Sequence, residues 1–252
     1  MFGKLLSDNP LHLRTLSALA VQLRVLTHFT FFIVTLLGKS EIPGSASQDD
    51  ILLLRLLTPV LKATTAKLGV QFLSESMEAL GGQGYVEEGG IAALYRDIQV
   101  NAIWEGTTNV LAHDMLRVLR GRTGAQTLGA LDRYVARCVA EGESCGKMGG
   151  FPGRLGGVYG KWRGRLVGSG EGVVEAHARE LVLWLGRTVG TMEMMVDAAS
   201  DGDEIEIECC KRVFDGKNLG WEDDARETAE WDRRIVFGGG ERPVAMPVQA
   251  RL

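Results

Sequence analysis

The sequence predicts an all-α fold, an antiparallel helical bundle with additional helices toward its C-terminus. Leu, Ala, Val and Phe recur at three- and four-residue steps over long stretches, which is the spacing of helices with an apolar face. No run of alternating apolar and polar residues is long enough to predict a β-strand. Long helices with short connections pack as bundles. The composition, 45% hydrophobic and 24% charged, is that of a globular protein rather than a disordered one.

The sequence of the first part of the chain predicts four helices and the turns between them. Asp8, Asn9 and Pro10 are suited to cap the main body of the first helix, and Ser47 with Asp50 forms a capping box before the second. Pro59 lies inside the second helix and predicts a kink, because the apolar pattern resumes at once. The glycine-rich stretch 81–90 ends that helix, and 91–100 reads as a short turn. The four helices are expected in residues 4–37, 51–80, 103–119 and 126–142.

The apolar run "VLTHFTFFIVTLLG" (25–38) raises the question of a membrane span. It is shorter than the roughly 20 residues that a spanning helix needs, and it contains His28. We therefore interpret it as part of a buried core helix and expect no membrane association.

Residues 142–172 differ in composition from the rest of the chain, because they are rich in glycine and basic residues. Such glycine content disfavours a continuous helix, so we predict a loop or insertion here. Neither phosphate-loop nor dinucleotide-binding spacing is present. Helical patterns resume at 173–199, 203–216 and 223–237. The predicted division is a bundle in 1–142, a glycine-rich insertion in 143–172 and a helical extension in 173–252.

Charge and cysteine content narrow the classes of function. A net charge of −4 argues against a nucleic-acid-binding surface, although Arg154, Lys161, Arg163 and Arg165 form a local basic patch. The acidic run 201–208 reads as a solvated helix start. The spacing of the four cysteines predicts neither a metal site nor a disulfide, and adjacent Cys209 and Cys210 are expected to be buried free thiols.

The segment "NAIWEGTTNV" (101–110) contains the candidate catalytic residue. Glu105 stands between Trp104 and Gly106, at what reads as the start of a helix. Two interpretations are open. An acid in the first turn of a helix stabilises it whatever its function. Alternatively Glu105 is a base in a partly dry pocket, with Trp104 excluding water and Gly106 leaving room for a substrate. For His113 and Asp114, farther along the helix, structural roles are favoured.

A longer series of residues resembles a known family. "MEALGGQGYVEE" (77–88) is followed by "LYRDIQVNAIWEGTTNVLAHDMLRVL" (94–119), and this order and spacing resemble the acyl-CoA dehydrogenases. The best match is the branch of the bacterial alkylation-response homologues and their peroxisomal relatives. The resemblance is specific over about residues 70–120 and weaker elsewhere.

The resemblance implies a cofactor, a substrate and a role for particular residues. It implies FAD, an acyl-CoA substrate and a homo-oligomer. Glu105 is implied as the base that removes the α-proton while the β-hydrogen leaves as hydride, with Gly106 beside the thioester. The turn at Leu80, Gly81 and Gly82 is implied to contact the FAD of a neighbouring subunit. Thr107 and Asn109 match positions that contact the flavin or the dinucleotide end of the cofactor.

Two expectations follow from what the family has and this sequence lacks. Family members have an N-terminal helical domain and a middle β domain before the bundle, so the chain is expected to be incomplete as a catalyst. The alternative is a non-catalytic helical module that keeps the oligomerisation surface of the family.

The last three residues, Ala250, Arg251 and Leu252, resemble a peroxisomal targeting signal. We expect a peroxisomal protein, or otherwise a cytoplasmic or mitochondrial one.

Overall fold

The structure, a computed structural model, describes residues 5–214 and 225–239. Within these residues the regular structure is helical and contains no strand, so the all-α prediction is confirmed. The predicted targeting signal at 250–252 lies outside the described residues. The α-helices are α1 (Pro10–Glu41), α2 (Gln48–Ala79), α3 (Gly82–Tyr85), α4 (Ile91–Asn101), α5 (Thr108–Arg120), α6 (Gly124–Ser144), α7 (Phe151–Gly168), α8 (Glu171–Ala176), α9 (Ala178–Asp201), α10 (Glu204–Phe214) and α11 (Ala225–Phe237).

The starts of α1 and α2 carry the predicted caps. The Asn9 side chain accepts a hydrogen bond from the Leu11 amide at 3.0 Å, and Pro10 is the first helical residue. Ser47 and Asp50 form a reciprocal capping box. Helix α2 continues through Pro59, as the resumed apolar pattern predicts. Both signals are local, which is why the sequence alone was sufficient to predict them.

Helix α1 is the one described helix that is long and apolar enough, by length and composition, to cross a membrane. The run 25–38 is by itself too short to span a membrane, but it is part of a helix that extends beyond it in both directions to 32 residues. The prediction of a core helix is confirmed. Val25, Phe29, Ile33 and Leu36 are buried, and α1 packs against α2, α9 and α11.

Residues 91–107 depart from the prediction. The stretch predicted as a short turn is helix α4, because Gly90 adopts a left-handed conformation that reverses the chain and good helix formers follow. The next helix begins at Thr108 rather than Ile103. Positive φ angles at Glu105 (53°) and Gly106 (111°) prevent helix in between.

The prediction of a loop at 142–172 was also wrong, because Phe151–Gly168 is helix α7. Phe151, Leu155, Tyr159 and Trp162 follow one another at helical spacing and are all buried. Burial of these large side chains outweighs the low helix propensity of the intervening glycines. The glycines lie on the other faces of α7, and a Cβ atom on most of them would meet open space.

The basic patch predicted in this region is partly neutralised. Arg163 forms a two-pronged ion pair with Asp132, at 2.8 and 2.9 Å. The guanidinium group of Arg165 lies 5.2 Å from the ring centroid of Trp184. The guanidinium group of Arg154 lies 6.0 Å from the ring centroid of Phe151, so at least three of the four cations have structural partners inside the chain.

Helix α9 is the centre of the fold. It packs against α1, α2, α5, α6, α7 and α10, and it is buried along its length. Two glycines allow this close approach. A Cβ on Gly186 would lie 2.0 Å from Thr64 Oγ1, and one on Gly190 would lie 2.7 Å from the Val25 carbonyl oxygen. Buried side chains from all three predicted segments share one hydrophobic core, so the boundaries at 142 and 172 do not separate distinct cores.

Helix α10 begins within the acidic run 201–208, and Asp201, Asp203 and Glu204 are exposed as predicted, but Glu206 departs from the prediction of a solvated face. Glu206 is only 8% exposed and forms ion pairs with Arg24 and with His28, whose Nε2 lies 3.6 Å from Glu206 Oε2. Burial opposes the charge of Glu206, but His28 and Arg24 outweigh it and hold its pKa below the usual value. Glu206 in turn raises the pKa of His28 against the opposing effect of burial. This cluster joins α10 to α1.

The cysteines behave as expected of small buried hydrophobes. Cys209 and Cys210 are buried free thiols, and burial raises the pKa of Cys209 to about 12. Cys138 is likewise a free buried thiol. Among residues 5–214 and 225–239 no group of three or more His, Cys, Asp or Glu side chains could hold a metal ion.

We predict that Gly160→Ala, and equally Gly164→Ala, will raise the free energy of unfolding by about 0.5–1 kcal/mol. Both glycines are exposed on α7, and an added Cβ would meet no atom within 4 Å. Urea denaturation measures the change. The matched control is Gly186→Ala in α9, which should destabilise by about 1–3 kcal/mol through overpacking against Thr64. A loss of stability in Gly160→Ala would contradict an open outer face of α7.

Candidate active site

The loop between α4 and α5 carries Glu105 in an unusual backbone conformation. Glu105 has φ of +53°, and it is the only non-glycine residue with positive φ among the described residues. Such a conformation costs about 1–2 kcal/mol for a residue with a side chain. Strain of this kind persists only where the surroundings fix it, and it is concentrated at functional sites. The loop therefore has to be held by contacts from elsewhere in the fold.

Lys62 of α2 provides that contact. Its Nζ atom donates a hydrogen bond to the Trp104 carbonyl oxygen at 2.7 Å and another to the Gly106 carbonyl oxygen. These are the carbonyl groups of the two residues on either side of Glu105. A hydrogen bond from a charged group contributes about 1.5–3 kcal/mol, enough to offset the strain. A second, weaker contact holds the side chain of Trp104, whose Nε1 donates to Asn101 Oδ1 at 3.1 Å.

Glu105 lies at an apolar cleft of about 690 Å³ between α1, α2 and α5. The volume is in the range of small-molecule sites. Its walls are mainly aliphatic, and several of these side chains remain about half exposed. The residues that line it are Ile33, Val34, Leu37, Ser40, Ile51, Leu54, Arg55, Thr58, Pro59, Lys62, Glu105, Leu111 and Asp114.

The two carboxylates of the cleft are in different electrostatic states. Asp114 accepts two hydrogen bonds from Arg55, both at 2.9 Å, and it also pairs with Arg117. The hydrogen bonds from Arg55 are the main reason that the pKa of Asp114 is lowered. Within the described residues Glu105 has neither a hydrogen bond nor an ion pair. Glu105 is thus the unpaired carboxylate of the cleft, and the structural role predicted for Asp114 agrees with its contacts.

Both interpretations of Glu105 need correction. It is not in the first turn of a helix, because the N-cap of α5 is Thr107 and Glu105 precedes it by two residues. Helix capping therefore does not explain it. Nor is it in a partly dry pocket within this chain, since Glu105 is exposed and Trp104 is 57% exposed. The indole cannot exclude water because its ring is tied to Asn101 at the end of α4.

The residues that follow Glu105 are placed differently from one another. Thr107 is the N-cap of α5, but its side chain makes no capping hydrogen bond and the residue is exposed. Its hydroxyl is therefore available to a ligand. Asn109 is exposed as well, and its Oδ1 accepts a hydrogen bond from Arg179 Nη1 of α9 at 2.8 Å. Gly106 stands between Glu105 and Thr107 with its carbonyl on Lys62.

The predicted cofactor-binding turn is a surface feature at the end of α2. Leu80 is 52% exposed, and Gly81 and Gly82 are exposed too. Gly81 has φ +61° and ψ −142°, a combination that only glycine adopts readily. A Cβ on Gly81 or Gly82 would meet open space, so another molecule can approach this backbone closely.

The predicted site residues form two separate groups. Glu105, Gly106, Thr107 and Asn109 belong to the loop and the start of α5. The turn at 80–82 follows the far end of α2, and Lys62 and Ala79 are seventeen positions apart on that helix. At 1.5 Å per residue this is about 26 Å. One chain therefore does not bring the two groups against the same part of a ligand.

Sequence reasoning missed Lys62. A signal was present, since Arg55, Thr58 and Lys62 are polar residues at helical spacing in an otherwise apolar helix. That pattern predicts a polar line on α2, but it does not show which loop the line contacts.

Comparison with known proteins identifies the relationship. Residues 1–120 match the family model for the C-terminal domain of acyl-CoA dehydrogenases. The chain is 35% identical to acyl-CoA dehydrogenase family member 11 of Caenorhabditis elegans, over 94% of this chain and 40% of that protein. It is 37% identical to the putative acyl-CoA dehydrogenase AidB of Escherichia coli strain K12, over 55% of this chain and 26% of that protein.

Superposition on solved structures supports the same relationship as the sequence matches. The crystal structure of Caenorhabditis elegans ACDH-11 in complex with C11-CoA superposes with a TM-score of 0.73 at 32% identity, over 95% of this chain and 42% of that one. A structure named Bd2924 apo-form superposes with a TM-score of 0.64 at 38% identity, over 79% of this chain and 36% of that one. The chain thus spans less than half the length of each of these relatives. The family resemblance in the sequence is confirmed.

We predict that Glu105→Gly will not lower the free energy of unfolding, whereas Glu105→Val will lower it by at least about 1 kcal/mol. Glycine adopts positive φ without strain, and a β-branched residue does not. Thermal and urea denaturation of the two variants measures the difference. Equal stability of both variants would show that the left-handed backbone at position 105 is not held in solution.

Proposed function

Residues 1–120 of this chain are an acyl-CoA dehydrogenase C-terminal domain, and from this premise we propose that the chain supplies the catalytic base of an α,β-dehydrogenation of acyl-CoA thioesters. The base is Glu105. The observation that carries the proposal is an unpaired carboxylate on a strained loop, held by a charged side chain at an apolar cleft. Asp114, the other carboxylate of the cleft, is instead paired with Arg55.

The chemistry assigned to this chain is the transfer of a proton. A carboxylate oxygen of Glu105 takes the proton from the α-carbon of the thioester, and the electron pair of the broken C–H bond forms the new C=C bond. FAD, when bound, accepts the β-hydrogen as hydride. Gly106, where an added Cβ would lie 3.3 Å from the Leu111 side chain, lets the backbone next to the base pass close to the wall of the cleft. The complex of ACDH-11 with C11-CoA supports acyl-CoA as the class of substrate.

Several residues of this chain are suited to contact one edge of a bound flavin. The Thr107 hydroxyl makes no capping bond and is exposed next to Glu105. Asn109 is exposed in the first turn of α5, with its amide oriented by Arg179. The backbone at Leu80, Gly81 and Gly82 is open to close approach. These residues would hold the cofactor at two places, one beside the base and one at the end of α2.

The distance between the two groups supports a homo-oligomer. About 26 Å separates Lys62 from the end of α2, so the turn at 80–82 would serve a site centred on another copy of the chain. Exposed apolar side chains near this turn and on α4 provide a surface for such an association, among them Tyr85, Leu94 and Val100. The same surface favours the second candidate function, a non-catalytic helical module that associates through its helices.

Glu105 is solvent-exposed in this chain, which supports the proposal that complete dehydrogenation needs further protein around the site. The cleft residues on α1 and α2 are also partly exposed. Removal of an α-proton needs only the base and a bound thioester, whereas hydride transfer needs a flavin held against the β-carbon. The two half-steps can therefore be measured separately.

We predict that the chain will catalyse exchange of the α-protons of a saturated acyl-CoA for deuterium in D2O, without net oxidation. Mass spectrometry of the thioester measures the exchange. Glu105→Gln should reduce the rate above background by about 10²–10⁴-fold, the usual contribution of a general base. Glu75→Gln, an exposed glutamate on α2, is the matched control and should retain the rate.

The outcome separates the two candidate functions. Exchange that depends on Glu105 supports the catalytic proposal. Absence of such exchange, with and without added FAD, together with a concentration-dependent oligomer in sedimentation experiments, would favour the non-catalytic module.

We also propose a peroxisomal location from the terminal Ala250-Arg251-Leu252 sequence. A fluorescent protein that carries the last residues of the chain should enter peroxisomes, and the same fusion without the last three residues should not. Diffuse fluorescence of both fusions would contradict the proposal.

A further inference from the structure

We propose that Lys62 is the positioning residue for Glu105, an inference that rests on the proposed role of Glu105 as the base. The ammonium group of Lys62 fixes the loop backbone on both sides of Glu105, and this fixes where the carboxylate lies. Lys62 acts through the loop and is not itself assigned a contact with the substrate.

The geometry of the two hydrogen bonds carries the argument. The Trp104 and Gly106 carbonyl oxygens accept from the same Nζ atom. The rotatable backbone bonds of Glu105 and Gly106 lie between these two carbonyl groups. A change in φ or ψ at either residue would therefore turn one carbonyl away from the ammonium group. Both hydrogen bonds are satisfied together only when the two residues keep a matched set of backbone angles, here with φ at +53° and +111°.

The loop has little support of its own. The amides of Ala102, Ile103 and Trp104 donate to carbonyl groups at the end of α4. Beyond Trp104 this pattern stops: in the described part of the chain, the amides of Glu105 and Gly106 donate to no backbone carbonyl. The loop resumes regular bonding at Thr107, whose carbonyl accepts from Leu111. Lys62 therefore binds the part of this connection whose amides donate to no backbone carbonyl.

Lys62 is suited to this task because its own helix is rigidly packed. Val60 and Ala63, on the same turn of α2, are completely buried, and Thr64 is buried against α9. The backbone end of the Lys62 side chain is thus held in place by the core. The ammonium group of Lys62 also does not pair with the carboxylate of Asp114, because that carboxylate is already paired with Arg55 and Arg117.

The first test measures the loop itself. In the full chain, Lys62→Met keeps the length of the aliphatic stem and removes the donors. We expect amide hydrogen exchange at Ile103, Trp104 and Leu111, whose amides are hydrogen-bonded at the two ends of the loop, to accelerate by about tenfold or more, with the rest of the helices unchanged. Lys67→Met is the matched control, because Lys67 is on the same helix and its side chain makes no hydrogen bond or ion pair within the described residues. Lys62→Leu, which also removes the donors, replaces Lys62→Met if the latter does not fold.

The second test measures the base. For α-proton exchange of an acyl-CoA in D2O, we expect Lys62→Met to lower kcat by about tenfold or more while KM changes little, because a displaced base affects the proton transfer rather than binding. Lys62→Arg retains a charged donor and should restore part of kcat. Loss of folded protein would also lower the apparent kcat without changing KM, so each kcat is divided by the folded fraction measured by circular dichroism. A merely structural role would leave this corrected kcat unchanged in Lys62→Met, and Lys62→Arg would then show no selective rescue of kcat.

The outcomes distinguish this inference from the proposed function. Unchanged hydrogen exchange at Ile103, Trp104 and Leu111 overturns the inference, and so does a loosened loop with unchanged kcat. If the unaltered chain shows no exchange that depends on Glu105, the proposed function fails. In that case loop protection alone decides whether Lys62 holds residue 105: faster amide exchange in Lys62→Met supports the inference, and unchanged exchange overturns it.

Discussion

The close packing of α9 against α1 and α2 is the constraint on which the rest of the structure depends. Gly186 and Gly190 let the helices approach to a distance that any larger residue would prevent. With this approach, core side chains from the first and last parts of the described chain enter one cluster. The resulting close-packed interior leaves little freedom for the rotation of α2. The site inherits its rigidity from this arrangement, because Lys62 projects from the same helix that carries Thr64.

Helix α1 shows how the core and the cleft arise from one sequence. Its buried stripe, which includes Val25, Phe29 and Ile33, faces the packed helices. A second apolar line, with Val34 and Leu37, lies in the wall of the cleft and remains partly exposed. A helix that is apolar on nearly all sides needs a partner on each of them. The described helices cover one side of α1, and the other side is available to a ligand or to further protein.

Much of the fold was predictable because its signals are local. The cap at Asn9 and the capping box at Ser47 determine where helices begin, and residues a few positions apart are enough to specify them. Helix α7 was not predictable in this way. Its stability comes from burial of Phe151 and Trp162 against distant parts of the chain, and glycine content gives no information on such contacts.

The geometry of the candidate site could not be predicted from the sequence. The motif around Glu105 predicts a base, which stays a prediction, and a spacing of residues cannot reveal that the backbone of Glu105 is left-handed. The contact from Lys62 joins positions 42 and 44 residues apart in sequence, so it depends on how α2 and the loop meet in the fold. The separation of the turn at 80–82 from Glu105 likewise follows from the length of α2.

The left-handed backbone at Glu105 has an evolutionary consequence. The fold places no demand on a carboxylate at this position, and glycine meets its backbone requirement better than glutamate does. A glutamate codon becomes a glycine codon by a single base change. Inactive descendants that keep the bundle and its surfaces are therefore readily accessible, with no loss of stability to select against them. Persistence of the acid in a lineage would consequently record selection for its chemistry rather than for the integrity of the fold.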